Sequence, residues 1–150
     1  MTHRLAQRPG VLAALAALLS LGLGPNEARA RNDVPDEIAA LSNPVELEES
    51  ELSYYQRQFK GKCSRCHGQD GTGTGEQAAA QSVPPADLTD AAYMKTRTDG
   101  QLFYQILMGG AEDSPMPAFG PRSDQGWSED KVWHLVAYVR LFAAEEEPDD

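Results

Sequence analysis

Cys63-Ser64-Arg65-Cys66-His67 constrains this chain more than any other stretch of its 150 residues. Two thiols three positions apart, followed at once by an imidazole, form the C-x-x-C-H pattern of covalent c-type haem attachment. The spacing has a mechanical basis. Thiols so placed reach the two vinyl groups on one edge of a haem and form thioethers. The next residue's imidazole then lies beneath the iron as its proximal ligand. Cys63 and Cys66 are the only cysteines, so no thiol is left for a disulfide elsewhere.

Three rival readings of the pentapeptide are weaker. A structural zinc site needs four ligands, and beyond His67 only His134 remains once His3 is set aside with the leader. A redox dithiol of the thioredoxin kind sits beside a βαβ pattern, and no run of alternating Val and Ile strands occurs here. A disulfide between Cys63 and Cys66 would close a very short loop and gain little.

The first thirty residues read as a cleaved secretory signal peptide. Arg4 and Arg8 make a basic start, Val11 to Leu23 is an apolar run, and Ala28-Arg29-Ala30 offers small residues for cleavage. Thirteen apolar residues rise about 20 Å as a helix, short of a hydrocarbon core of about 30 Å, so a membrane anchor is disfavoured. No later stretch reaches transmembrane length. Export suits c-type haem, and the expected location is the periplasm. The remaining chain, 31–150, suits one domain. It divides into an acidic, partly ordered lead-in (31–50), a body (51–144) and a solvated acidic tail (145–150). Asp36 to Leu41 has the makings of a short helix within the lead-in.

The whole chain has 13 basic and 23 acidic residues; without Arg4, Arg8, Arg29 and Glu27 these become 10 and 22, a net of −12. Nucleic acid and anionic membrane surfaces are therefore poor partners. A redox protein with a basic docking patch is the expected one.

The body reads as helices joined by long loops. Ser50 is placed to cap a helix whose apolar stripe is Leu52, Tyr55, Phe59 and Cys63, with Gly68 to stop it. Gly68 to Gly75 alternates glycines, but no strand precedes it and no P-loop lysine follows, so a flexible turn around the haem edge is expected. Thr98-Asp99-Gly100-Gln101 opens a second helix as a capping box. Leu102, Phe103, Ile106 and Leu107 are its apolar side, and Gly109-Gly110 its end. A third helix starts near Ser128, with Val132, Leu135, Val136, Val139 and Phe142 on one face and His134 almost opposite, on the solvent side. The fold class is a small all-α domain in which the haem supplies much of the core.

A His-ligated iron needs a second axial group or keeps an open position. The candidates are Met94, Met108, Met116 and His134. Met108 reads as core filler beside Ile106 and Leu107. Met94, in a segment that begins a short helix, is a weaker candidate. Met116 differs, since Pro115 and Pro117 fix φ on both sides and present the thioether at little entropic cost. Met116 is the expected distal ligand.

These motifs resemble those of class I monohaem c-type cytochromes, the bacterial kind related to the cytochrome c domains of cbb3-type oxidases and periplasmic dehydrogenases. The resemblance rests on Phe59, the segment Cys63 to Gly68, Gly71-Thr72-Gly73, Pro84 to Thr89, Arg97 to Phe103, Met116 to Gly120, and Val132 to Arg140. It implies one covalent haem c, with Cys63 and Cys66 as anchors and His67 and Met116 as iron ligands. It implies that Phe59 and Tyr138 lie near the crossing of the first and last helices. It also implies that the carbonyl of Pro84 or Pro85 accepts the Nδ1–H of His67. Many relatives carry glycine eight residues before the first haem cysteine, where Tyr55 stands here, so a wider crossing or a shifted register is expected. The function implied is one-electron transfer, as a diffusible carrier or as the electron-accepting subunit of a respiratory or dehydrogenase system. The alternative is a catalytic or sensing haem protein with a labile Met116. Such a site needs a distal Arg or His, and Arg122 is the only cation near Met116 in the sequence.

Overall fold

Caps written into the sequence start the two helices that carry most of the core. In the computed structural model, which describes residues 34–111 and 114–144, Thr98 Oγ1 accepts from Gln101 N at 3.1 Å, while Gln101 Oε1 accepts from Thr98 N at 3.0 Å. This capping box opens a helix over Asp99–Met108. Ser128 Oγ accepts from Lys131 N at 3.2 Å and opens another over Glu129–Arg140. The described elements, in chain order, are α1 (Asp36–Ala39), α2 (Glu49–Lys62), α3 (Ser64–His67), α4 (Ala91–Lys95), α5 (Asp99–Met108) and α6 (Glu129–Arg140). Short 3₁₀ turns cover Ala78–Ala80 and Leu141–Ala143. Among the described residues there is no strand, so the fold is all-α. No described helix is long and apolar enough to cross a membrane. The expected signal peptide (1–30), the first residues after it and the tail (145–150) lie outside the described residues.

The helix expected to be capped by Ser50 is capped two residues earlier. Glu48 is its N-cap, and the Glu48 N–H donates to the Glu51 carboxylate at 3.2 Å. A carboxylate three residues in does the capping, and acid in the first turn with Lys60 and Lys62 in the last also suits the helix dipole.

The core forms where α2 and α5 meet α6. Val132 and Val136 are fully buried, with Leu135 and Val139 beside them. The Phe103 ring stacks on Trp133 at 4.0 Å between centroids, and Phe59 packs on Phe142 at 4.8 Å and Tyr138 at 5.9 Å. Phe142 belongs to the 3₁₀ turn that follows α6, so its place on that helix face is kept by a tighter winding.

The lead-in is docked onto this body. Asn43 donates from Nδ2 to the Trp133 carbonyl at 3.0 Å and from its backbone N–H to Asp99 Oδ2 at 3.1 Å. Gly100 N donates to the Leu41 carbonyl at 3.1 Å. A side chain at Gly100 would collide with the Ile38 carbonyl, so α1 lies against backbone at the start of α5. Arg140 closes the same corner. Its guanidinium reaches Asp99 Oδ1 at 2.8 Å, the Met94 carbonyl at 2.7 Å and the Arg97 carbonyl at 2.6 Å, tying α6 to α4 and α5.

Candidate haem-binding site

α2 delivers the C-x-x-C-H segment. The chain bends at Cys63 (φ −114°), whose N–H still donates to the Phe59 carbonyl, runs on into the single turn of α3, and stops at Gly68, whose φ of +78° only glycine adopts readily. His67 N donates to the Cys63 carbonyl at 2.9 Å, so both thiols and the imidazole share one turn.

A turn this short leaves its C-terminal carbonyls without helical donors. The glycine-rich segment supplies them. Gly73 N donates to the His67 carbonyl at 2.8 Å, Gly75 N to Cys66 at 3.0 Å, and Gln77 N to Arg65 at 2.8 Å. Such an approach needs bare backbone. A Cβ on Gly75 would meet the carbonyls of Ser64 and Arg65, and Gly73 has φ +76° with the Pro85 carbonyl 2.8 Å from where its Cβ would stand. The segment expected to be a flexible turn is thus pinned to α3 along its length.

The His67 ring is fixed from the other side. Its Nδ1 lies 3.1 Å from the Ala86 carbonyl, which can only accept, so Nδ1 carries the proton and Nε2 keeps a free lone pair. The family resemblance implies Pro84 or Pro85 as this acceptor. Two consecutive prolines hold the run extended, so successive carbonyls face different ways, and Ala86, one residue further on, meets the ring. Burial pushes the His67 pKa down, against a smaller opposite effect of the Ala86 bond, and keeps the imidazole neutral.

Cys63 and Cys66 are both free thiols and partly buried. Burial, helped by the neighbouring Cys66, pushes the Cys63 thiol up to about 12. A thiol held this firmly in its protonated form is the opposite of the depressed thiolate that a redox dithiol or a zinc site uses. Among the described residues no three or more His, Cys, Asp or Glu side chains converge to hold a metal ion. Two free thiols and a neutral imidazole on one turn suit separate attachment to one large flat group, and they fit haem c.

Met116 sits in the loop from α5 to α6. Its carbonyl accepts from Gly110 N at 2.9 Å, and its N–H donates to Ser114 Oγ at 3.4 Å. Phe119 N and Gly120 N return to the Ile106 and Leu107 carbonyls at 3.0 and 2.9 Å, which fastens the loop to the end of α5. Met116 is half-buried and borders the same apolar cluster as Cys63. Met94 is 2 % exposed, inside the core on α4. Met108, expected as core filler, is 57 % exposed. At 100° per residue it stands about 200° round from Ile106, away from the buried face.

His134, expected on the solvent side, is a second correction. Its side chain is only 14 % exposed, and its ring lies parallel to Tyr55 at 5.2 Å, with Nδ1 2.8 Å from the Asp130 carbonyl and Nε2 3.7 Å from Glu51. Tyr55 itself is buried, and desolvation, with Glu51 next, pushes its hydroxyl up to about 12. This chain fills the contact of α2 with α6 by stacking two rings.

The family model described as "Cytochrome C oxidase, cbb3-type, subunit III" matches residues 52–139, from α2 through nearly all of α6. Among solved structures, the chain is similar to one in the reducing HAO-like protein complex of Kuenenia stuttgartiensis. The TM-score is 0.55 and the identity 24%, over 71% of this chain and 49% of that one. This chain therefore spans about half the length of that neighbour, and the likeness is one of fold. No curated protein matches it.

Proposed function

The chain belongs to the family of the cbb3-type cytochrome c oxidase subunit III, and on that premise we propose that it is a periplasmic one-electron carrier with a single covalent haem c. It acts either as a diffusible protein or as the electron-accepting subunit of a respiratory or dehydrogenase system. The observation that carries this reading is His67. Its Nδ1–H is committed to Ala86, its ring is neutral, and its free Nε2 stands on the same turn as two free thiols.

In this reading Cys63 and Cys66 hold the haem through thioethers, His67 is the proximal ligand and Met116 the distal one. When bound, the haem supplies a one-electron couple whose reduced form a soft, neutral methionine sulfur favours. The Ala86 carbonyl holds the imidazole tautomer and orients its plane. Phe119 and Gly120, bonded to the end of α5, and the Gly110 N–H on the Met116 carbonyl would hold Met116 in place, so the ligand set would not have to change with the charge. Two protein ligands leave no position for a substrate, which makes the carrier reading stronger than the catalytic or sensing one. The net of −12 favours a redox partner with a basic docking patch. The likeness to a chain of a redox complex supports keeping the subunit role open beside the diffusible one.

Mass spectrometry of the exported protein tests this directly. One haem should be added to residues 31–150, and acidified acetone should fail to extract the pigment. Extractable pigment, bound zinc in its place, or a retained leader would overturn the reading. Oxidation by the physiological partner should slow between about 0.01 M and 0.15 M salt, as the Debye length shrinks from about 30 Å to about 8 Å. A rate indifferent to salt would remove the basic partner.

A further inference from the structure

A ring of the helical scaffold presses on the glycine-rich segment. Gly71 has a φ of +80°, and a Cβ built there would stand 2.9 Å from Cγ of Phe142 and 3.0 Å from its Cδ1. A bare glycine therefore lets the Phe142 ring pack directly on backbone. The ring is fixed from behind, tilted on Phe59 at 4.8 Å and edge-on to Tyr138 at 5.5 Å. Phe142 lies in the 3₁₀ turn after α6, beyond the residues 52–139 that the family model matches.

Two short backbone routes lead from Gly71 to His67. Gly71 N donates to the Gly68 carbonyl at 3.4 Å, which closes the turn directly after the histidine. The Gly71 carbonyl accepts from Leu88 N at 2.8 Å, and the Leu88 side chain is buried in the core. Two residues before Leu88, the Ala86 carbonyl stands 3.1 Å from His67 Nδ1. Ala86 belongs to no helix, so bonds from outside its own segment have to fix where its carbonyl points.

We propose that Phe142 is a positioning residue for His67, holding the Ala86 carbonyl on the Nδ1–H through Gly71 and Leu88. The inference rests on the haem reading above. Without the ring, Gly71 and the run 86–88 bonded to it lose their backing. The bond they support sets the tautomer and plane of the imidazole and raises its basicity at Nε2. A His67 that donates less from Nδ1 is a poorer ligand to ferric iron, so the reduced state gains.

The test uses the complete haem-loaded protein, reduced and nitrogen-labelled. In the wild type the His67 Nδ1–H should give a slowly exchanging resonance. Phe142→Ala should lose that protection and raise the midpoint potential, while haem stays covalent and the methionine-ligation band stays in place. Phe142→Leu, which refills most of the space, should recover both. Phe103→Ala removes a more deeply buried ring from the Trp133 side of the core and should keep the protected proton. If the two alanine variants expose the proton alike at equal loss of stability, or if Phe142→Ala leaves proton and potential unchanged, Phe142 only packs and the inference is overturned. If Phe142→Ala fails to fold, the milder Phe142→Val is read by the same two measurements. Covalent haem with a proton indifferent to Phe142 defeats this inference alone. Haem that acidified acetone extracts from the wild type would overturn the underlying reading, and this one with it.

Discussion

Residues 63–90 and the scaffold of α2, α5 and α6 are held together by different forces. Ten of the fourteen buried apolar side chains among the described residues lie on those three helices, and only Leu88 lies between Cys63 and Asp90. The scaffold is stabilised by packed rings and aliphatic side chains. The other segment is ordered by backbone bonds onto α3, by glycines that permit close approach, and by the Ala86 carbonyl on His67. A stretch with so little side-chain burial gains little from the hydrophobic effect on its own. Its order rests on those backbone bonds. The scaffold therefore governs stability, and under the proposed ligation the other segment governs the iron.

That division is open to attack by substitution. Phe59 is 1 % exposed and touches Tyr138 and Phe142. Phe59→Ala should cost about 3–5 kcal/mol, seen as a lower denaturant midpoint at unchanged slope, with little change at the iron. Gly73→Ala should cost about 1–2 kcal/mol for a left-handed L-residue, and more because the Pro85 carbonyl, 2.8 Å from the new Cβ, has to move. It should also shift the reduction potential, because Gly73 N holds the His67 carbonyl. If Phe59→Ala moves the potential and Gly73→Ala leaves it alone, the division is wrong.

The smallest effect is electrostatic. Hydrogen bonds from Thr72 and Thr89 hold the exposed carboxyls of Asp70 and Asp87 below their ordinary pKa. Stability from a depressed carboxylate is present above its unfolded pKa and lost as pH falls through the folded one. Thr72→Val and Thr89→Val should each destabilise slightly at neutral pH, and the difference from wild type should close below about pH 4. A gap that persists in acid would assign these threonines to packing.

Much of this was legible because the signals are local. Thr98 and Gln101, Ser128, and the stops at Gly68 and Gly109 act within one turn of the residues they cap or end. The C-x-x-C-H segment is local as well. What was not legible needs two distant segments at once. Ala86 accepts from His67 because of how the proline run passes α3, which no spacing encodes. His134 turned inward because Tyr55, far away in sequence, offers a ring to stack on. Met108 turned outward because the buried face of α5 is set by α6. Arg140 at the end of α6 was a visible cation, but its acceptors on α4 and α5 meet it only in the fold.

Ligation by Met116 is the central claim, since both the carrier function and the fixed iron depend on it. The ferric protein should show the weak long-wavelength band of methionine sulfur bound to haem iron. Met116→Ala should abolish the band, lower the potential and open the iron to cyanide. Met94→Leu and Met108→Leu should keep the band and cost at most about 1.5 kcal/mol, as near volume-conserving swaps. A band that survives in Met116→Ala, or that is absent from the wild type, would contradict the account.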